Sequence, residues 1–321
     1  MPTDAVLREL LVRQLDAWLP AALQRARRAT LALAYAGTDA GGADAALRVV
    51  GEHADRLRGF RLTVLVLAAG DESLPARLGA VESTLPAEVA VHVVPGDPAR
   101  LPVALKAAGA AGAPLLTLAH GAAPTPALLA AARSGRPADL LLVTAPDAPL
   151  RPALDAAGFP LVAEVDLLAA PILPETGDGE GLRLAFATGS DRSLQAFKDA
   201  LWAVDEHAGV RYRDPADPQG RAVAVGPAAD RAGDPEQDLL RRRPHDPGPL
   251  GGELLAELAR GPRTVTELRR FALTSTVYRV ADATRALTDL LDAGAVARDP
   301  EHGKLGGDVL ISAVRPGGPA A

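Results

Sequence analysis

Four short clusters within the first 121 residues hold the residue types that could do chemistry. Gly37-Thr38-Asp39-Ala40-Gly41-Gly42 is a glycine-rich turn ahead of a helical segment. Glycine lets a ligand approach the backbone closely, and a helix N-terminus attracts phosphate. The turn matches neither G-x-G-x-x-G nor a Walker A sequence, and no nearby lysine could reach a phosphate. Asp71 and Glu72 follow the second apolar run of the chain, and Asp97, in Pro95-Gly96-Asp97, follows the third. A carboxylate in such a place can accept hydrogens from ligand hydroxyls or amines. Asp97 also stands where a helix begins, which makes it an N-cap candidate. His120-Gly121 closes the fourth run, at the strand end where open α/β sheets bind ligands; a partly exposed structural histidine is the plainer reading. No His/Asp/Glu spacing points to a metal site, and no G-x-S-x-G elbow marks a hydrolase.

These clusters need elements to position them. Leu31–Tyr35, Leu62–Leu67, Val89–Val94, Leu115–Leu118 and Leu140–Val143 are short, nearly continuous apolar runs, each followed by a Gly, Asp or Pro turn. Continuous rather than alternating runs predict strands buried on both faces. Helical segments fall between them near 41–57, 73–85, 99–110, 125–134 and 148–157, so five β-α units in series imply a doubly wound α/β domain. Two further runs, Pro160–Leu168 and Leu182–Thr188, are joined only by Pro171–Gly181. That loop is too short for a helical crossover, so the last strand is expected to enter antiparallel. A parallel sheet with one antiparallel strand is the topology of Rossmann-like class I methyltransferases, with dinucleotide-binding domains the main competitor. Residues 3–28 predict an amphipathic helix ahead of the first strand, and Ser190–Asp205 the last strong helix of the domain.

Composition bounds the remaining classes. With 321 residues and 48% hydrophobic content the chain can bury the cores of about two domains. Zero cysteines exclude thiolate zinc sites, thiol nucleophiles and disulfides, and suit a reducing cytoplasm. Only Lys106, Lys198 and Lys304 are lysines among 34 basic residues. With 31 Gly and 28 Pro, that bias looks like GC-rich coding, and an arginine alone is weak evidence for nucleic acid. No stretch approaches the roughly 20 apolar residues of a membrane span, and no apolar run precedes a small-residue cleavage site. A cytoplasmic protein with no membrane partner is expected.

Beyond residues 1–213, the Pro/Asp/Gly-rich stretch 214–250 reads as a linker, interrupted by the short run Ala222–Val225. Residues 251–316 read as a separate module. Glu253–Arg260 is one helix, and Thr264-Val265-Thr266-Glu267 is a capping box opening a second. Ser275 or Thr276 can cap a third, and Ala295–Arg298 with Val309–Val314 predict a two-stranded ribbon. Three helices and a two-stranded wing describe a small α+β winged helix-turn-helix. Nucleic-acid contact there would fall to Arg269, Arg270, Arg279, Arg285 and Lys304. Between Pro249 and Val314, however, eight basic residues face nine acidic ones, so phosphate neutralisation would be modest.

Several segments resemble, in order, the three-Cys-motif partner (TcmP) family of class I methyltransferases, which often carry a C-terminal winged helix. Val6-Leu7-Arg8-Glu9-Leu10-Leu11 with Trp18 is like the family's leading helix, and Leu33-Ala34-Tyr35-Ala36-Gly37 is similar to its Asp-Gly-Phe-Ala-Gly cofactor loop. Leu184-Ala185-Phe186-Ala187-Thr188, then Phe197-Lys198-Asp199-Ala200-Leu201-Trp202, is the most specific match, and Gly209-Val210-Arg211-Tyr212 continues it. The resemblance implies S-adenosylmethionine as cofactor, held around Ala36, Gly37, Asp39, Asp71, Asp97 and Gly121, and a protein partner; the three cysteines belong to that partner. The chain departs from the family where acids are needed. Leu33 stands for the acidic residue of the first strand, and Leu67-Ala68-Ala69 replaces the ribose carboxylate after the second. Leu118-Ala119-His120-Gly121 stands for Asp-Pro-Phe-Gly after the fourth.

Three functions are therefore expected to compete. The first is a non-catalytic or weakly active scaffold or ligand-binding pseudoenzyme with a GMT-like winged-helix interaction domain. The second is an active methyltransferase using Asp39, Asp71 and Asp97. The third is a winged-helix DNA-binding regulator.

Overall fold

Strand β1 (Arg28–Tyr35) is buried at every residue but its first, as its unbroken apolar run requires. It lies between β2 (Arg61–Ala68) and β4 (Leu115–His120), parallel to both. Strands β3 (Val89–Pro95) and β5 (Ala138–Thr144) extend the parallel sheet on either side. The computed structural model describes residues 2–37, 40–70, 72–146, 149–169, 181–208, 210–213, 223–224 and 248–314.

The two later runs form β6 (Leu161–Ala169) and β7 (Gly181–Thr188). β7 wedges between β5 and β6, antiparallel to both, giving the order β3-β2-β1-β4-β5-β7-β6. This is the α/β, Rossmann-like, methyltransferase-type sheet the runs predict. Two short strands then continue the sheet beyond β6. These are β8 (Val210–Arg213) and β9 (Val223–Ala224), the latter inside the stretch read as linker.

Seven helices accompany the sheet: α1 (Pro2–Arg25), α2 (Gly41–Glu52), α3 (Leu74–Glu82), α4 (Leu101–Ala107), α5 (Pro126–Ala132), α6 (Arg151–Ala156) and α7 (Asp191–Ala208). Strand alternation sends Ala32, Ala34, Leu65, Leu67, Leu140 and Leu142 to one face. There they pack with Leu101, Leu105, Leu128, Leu129 and Leu154 of α4, α5 and α6. Leu33, Tyr35, Leu118 and Leu141 point to the other face, where α1 lies against α2 and α7. On that side Phe186 of β7 stacks on Phe197 of α7, centroids 4.6 Å apart.

The chain divides into two compact units, 1–228 and 229–321. In the second, α8 (Gly248–Leu258), α9 (Val265–Ser275) and α10 (Val280–Asp292) precede β11 (Val296–Asp299) and β12 (Leu310–Ala313). The expected two-stranded ribbon gains a third strand, β10 (Arg263–Thr264), because the extended residues leading into α9 pair with Leu310 and Ile311 of β12. The capping box holds: the Thr264 hydroxyl accepts from Glu267 N–H at 3.2 Å, and the Glu267 carboxylate accepts from Thr264 N–H at 2.7 Å. Ser275 and Thr276 do not cap α10. The Thr276 hydroxyl instead donates to Ala272 O at 2.7 Å, closing α9. Helix α10 starts at Val280, where the Asp282 carboxylate accepts the Arg279 backbone N–H at 3.0 Å.

Candidate functional site

The turn of the sheet order lies between β1 and β4, whose following segments depart in opposite directions; open α/β sheets bind ligands at the carboxyl ends of such strands. Here Tyr35 pairs with His120, Ala36 N–H donates to His120 O at 2.9 Å, and Gly121 N–H donates to Val143 O at 2.8 Å. Gly121 has φ +72°, and a Cβ there would stand 2.9 Å from the Ala36 Cβ. Ala36 and Gly121 are thus brought together, and the closeness of two strand ends explains that glycine. Gly37 is exposed, and a Cβ on it would meet nothing within 4 Å.

Asp97 lies at the end of β3, two strands from β1. Its carboxylate accepts Ala99 N–H at 2.9 Å and caps the single helical turn Pro98–Arg100. Arg100 folds back over Gly96 and donates to Pro95 O at 2.8 Å. Asp39 and Asp71 lie outside the described residues, and Glu72 is exposed. The end of β2 offers Ala68, Ala69 and Gly70, none with a hydrogen-bonding side chain.

Beneath the first turns of α1, at the ends of β1, β4 and β5, lies a cavity of about 40 Å³. Leu7, Leu11, Leu118, Leu141 and Val143 line it, with Asp4, Arg8, Tyr35 and His120 as its polar members. Tyr35 and His120 meet edge to face at 6.3 Å. A cavity of that size holds a few waters, whereas small-molecule sites need roughly 300 Å³ or more. Leu33 is fully buried, and Leu118 is 7% exposed. Both leucines are therefore parts of the core, and a carboxylate at either position would face apolar neighbours. Among the described residues the ends of β1, β2 and β4 themselves carry no carboxylate, where the resemblance would place acceptors for the ammonium and ribose hydroxyls of S-adenosylmethionine. Among the described residues no group of three His, Asp or Glu side chains could hold a metal ion.

Sequence reasoning missed two carboxyls raised by burial, Asp139 and Glu164. Asp139, the second residue of β5, lies at the amino end of that interior strand and is fully buried. Burial pushes its carboxyl up to about 6, against hydrogen bonds from Thr188 and Ser193 and the nearby charge of Arg25 that act the other way. A charge adjoining an otherwise apolar run was the available signal.

In the second unit, Arg279 is held by Asp282 through Nε at 3.0 Å and Nη2 at 3.1 Å. Arg269 donates to the Thr284 hydroxyl at 3.1 Å. Arg270, Arg285 and Lys304 are exposed. Arg298 closes the β11–β12 turn by donating to the carbonyls of Pro300, Gly303 and Lys304.

The chain matches no known family profile and no curated protein. Among solved structures it is similar to a predicted O-methyltransferase from Agrobacterium tumefaciens, at 16% identity and TM-score 0.30 over 56% of this chain and 81% of that one. It is also similar to a precorrin-6Y C5,15-methyltransferase from Geobacter metallireducens, at 12% identity and TM-score 0.33 over 57% and 87%. The fold assignment rests on the strand order and directions given above. No helix among the described residues is long and apolar enough to cross a membrane.

Proposed function

We propose that this is a TcmP-like protein of methyltransferase fold that works in the cytoplasm by binding rather than by methyl transfer. One observation carries the reading: in β1 and β4, buried Leu33 and Leu118 stand for the acidic residues, and the cavity that Leu118 lines is only about 40 Å³. Replacing a buried carboxylate by a packed leucine removes both the acceptor for a cofactor's ammonium and the space it would occupy. Asp97, which would otherwise serve, is engaged as a cap. Isothermal titration with S-adenosylmethionine is expected to show no saturable binding in the micromolar range. Micromolar binding together with methyl transfer to any acceptor would overturn the proposal and favour the active reading through Asp39, Asp71 and Asp97. The exposed, unobstructed backbone at Gly37 is the observation on that side.

The second unit is, in the same reading, a winged helix-turn-helix that docks a protein partner. Its support is that Arg279 and Arg269, two of the cations a nucleic acid would need, are spent on Asp282 and Thr284. Salt-dependent DNA binding lost in Arg270→Ala and Arg285→Ala would decide for a nucleic acid instead.

A further inference from the structure

An open groove of about 720 Å³ lies at the amino ends of β5 and β6, the reverse end of the sheet from the Ala36–Gly121 turn. That volume lies within the range of small-molecule sites. Arg25 in the last turn of α1, Arg133 at the end of α5 and Arg136 ahead of β5 bring three guanidiniums to it. The rest of its lining is glycine, proline, alanine and Phe159, with no acidic side chain. Asp155 and Asp191 stand near in the chain, but neither lines the groove. All three arginines are exposed, and none makes a hydrogen bond or ion pair among the described residues.

Like charges gathered around one hollow repel one another, and an anion seated among them removes that repulsion. A helix C-terminus accounts for a cation at Arg25 and at Arg133 singly. It does not account for Arg136, which lies outside any helix, or for a rim without carboxylates. Arg133 is also held in place, its guanidinium 6.0 Å from the centroid of the Phe159 ring. Gly158, at φ +81°, leaves it the room, since a Cβ there would stand 3.2 Å from Arg133 Cζ. A group fixed before binding loses less freedom on binding, and the planar guanidinium fork matches phosphate oxygens in pairs. Three guanidiniums outnumber the roughly two negative charges of one phosphate monoester at neutral pH. The groove therefore suits two linked phosphoryl groups, with room left for the group that carries them.

We propose that this groove binds a small molecule bearing a diphosphate, its phosphoryl oxygens shared among Arg25, Arg133 and Arg136. The site stands apart from the carboxyl ends of β1 and β4, and its occupancy is independent of whether S-adenosylmethionine binds there.

The test is isothermal titration of the full chain at low salt with inorganic pyrophosphate, inorganic phosphate and a short oligothymidylate. Pyrophosphate is expected to bind in the micromolar range, about 10-fold or more tighter than phosphate, and to weaken as salt is raised. Arg133→Gln and Arg136→Gln should each weaken it about 10-fold. Arg133→Lys, which keeps the charge but loses the fork, should weaken it too. Arg48→Gln removes an equal charge at an exposed position of α2 outside the groove and should leave binding unchanged. The proposal is overturned if pyrophosphate shows no saturable binding, or if Arg133→Gln and Arg136→Gln bind it as tightly as the parent chain. Equal weakening by Arg48→Gln would overturn it as well, by reducing the effect to overall charge. Oligothymidylate binding that these two groove variants abolish, without binding of pyrophosphate, would assign the groove to a nucleic acid instead.

Discussion

Replacing Asp139 by asparagine should make the first unit more stable at neutral pH and leave it unchanged in acid. The folded carboxyl titrates at about 6 and the ordinary one at 3.8, with burial the largest cause. Between these values the folded chain holds a proton that the unfolded chain releases. Stability is therefore greatest below about pH 4, falls as pH rises through about 6, and is flat above. The gap corresponds to about 3 kcal/mol at neutral pH. Asparagine cannot ionise, so that loss disappears. Its amide N–H₂ faces the place where Oδ2 is unpaired, and a weakened hydrogen bond from Ser193 trims the gain to about 2 kcal/mol. Urea denaturation followed by tryptophan fluorescence reads this unit alone, since both tryptophans, Trp18 and Trp202, lie within it. Glu164, also raised by burial, titrates equally in both proteins and cancels in the difference. The expected result is a stability difference that grows from near zero at about pH 4 to about 2 kcal/mol at about pH 7. A difference that is the same at both ends, or a less stable variant at neutral pH, would refute the reasoning.

Other perturbations follow from single contacts. Gly121→Ala places a methyl 2.9 Å from Ala36 in a backbone with φ +72°, and should cost about 1–3 kcal/mol in denaturant unfolding. Asp166→Ala removes the carboxylate that meets the Arg183 guanidinium at 2.8 Å between β6 and β7, where only 14% of the Arg183 side chain is exposed. The loss should be about 1–3 kcal/mol in denaturant unfolding, largely relieved by replacing both residues with apolar ones. Thr264→Ala removes the N-cap of α9 and should cost the second unit about 1 kcal/mol, visible as faster amide exchange in its first turn. Glu267 in that box is held below the usual carboxylate range by its Thr264 hydrogen bonds, so its contribution is present above the ordinary glutamate value and is lost as pH falls through the folded one.

Much of the scaffold was legible because burial on both faces leaves a local mark. The five runs from Leu31 to Val143 are continuous rather than alternating, and each became a parallel strand; four are buried on both faces, while β3, the edge strand, is buried only at Val89 because no strand covers its outer side. The reversal of β7 was legible from loop length, since 171–181 cannot hold a crossover helix. Thr264–Glu267 was legible because a capping box is four residues of local chemistry. The start of α10 was misplaced because Thr276 offers its hydroxyl equally well to the end of one helix and the start of another. The third strand β10 depends on a partner over forty residues away, and two residues carry no periodicity. Asp97 as a cap could be read from its neighbours, while the closeness of Gly121 to Ala36 could not.

The sequence by itself determined the α/β class, the succession of elements and the absence of acids at positions 33 and 118, because residue type and spacing act locally. Only the tertiary structure decided that both leucines are buried and that Leu118 lines a cavity of about 40 Å³. It alone placed Gln14, Trp18 and Asp139 around one cleft at the amino end of β5. Burial, and with it the proton affinity of Asp139, is a property of what surrounds a residue, and those surroundings come from α1, β5 and α7, which are far apart in the chain.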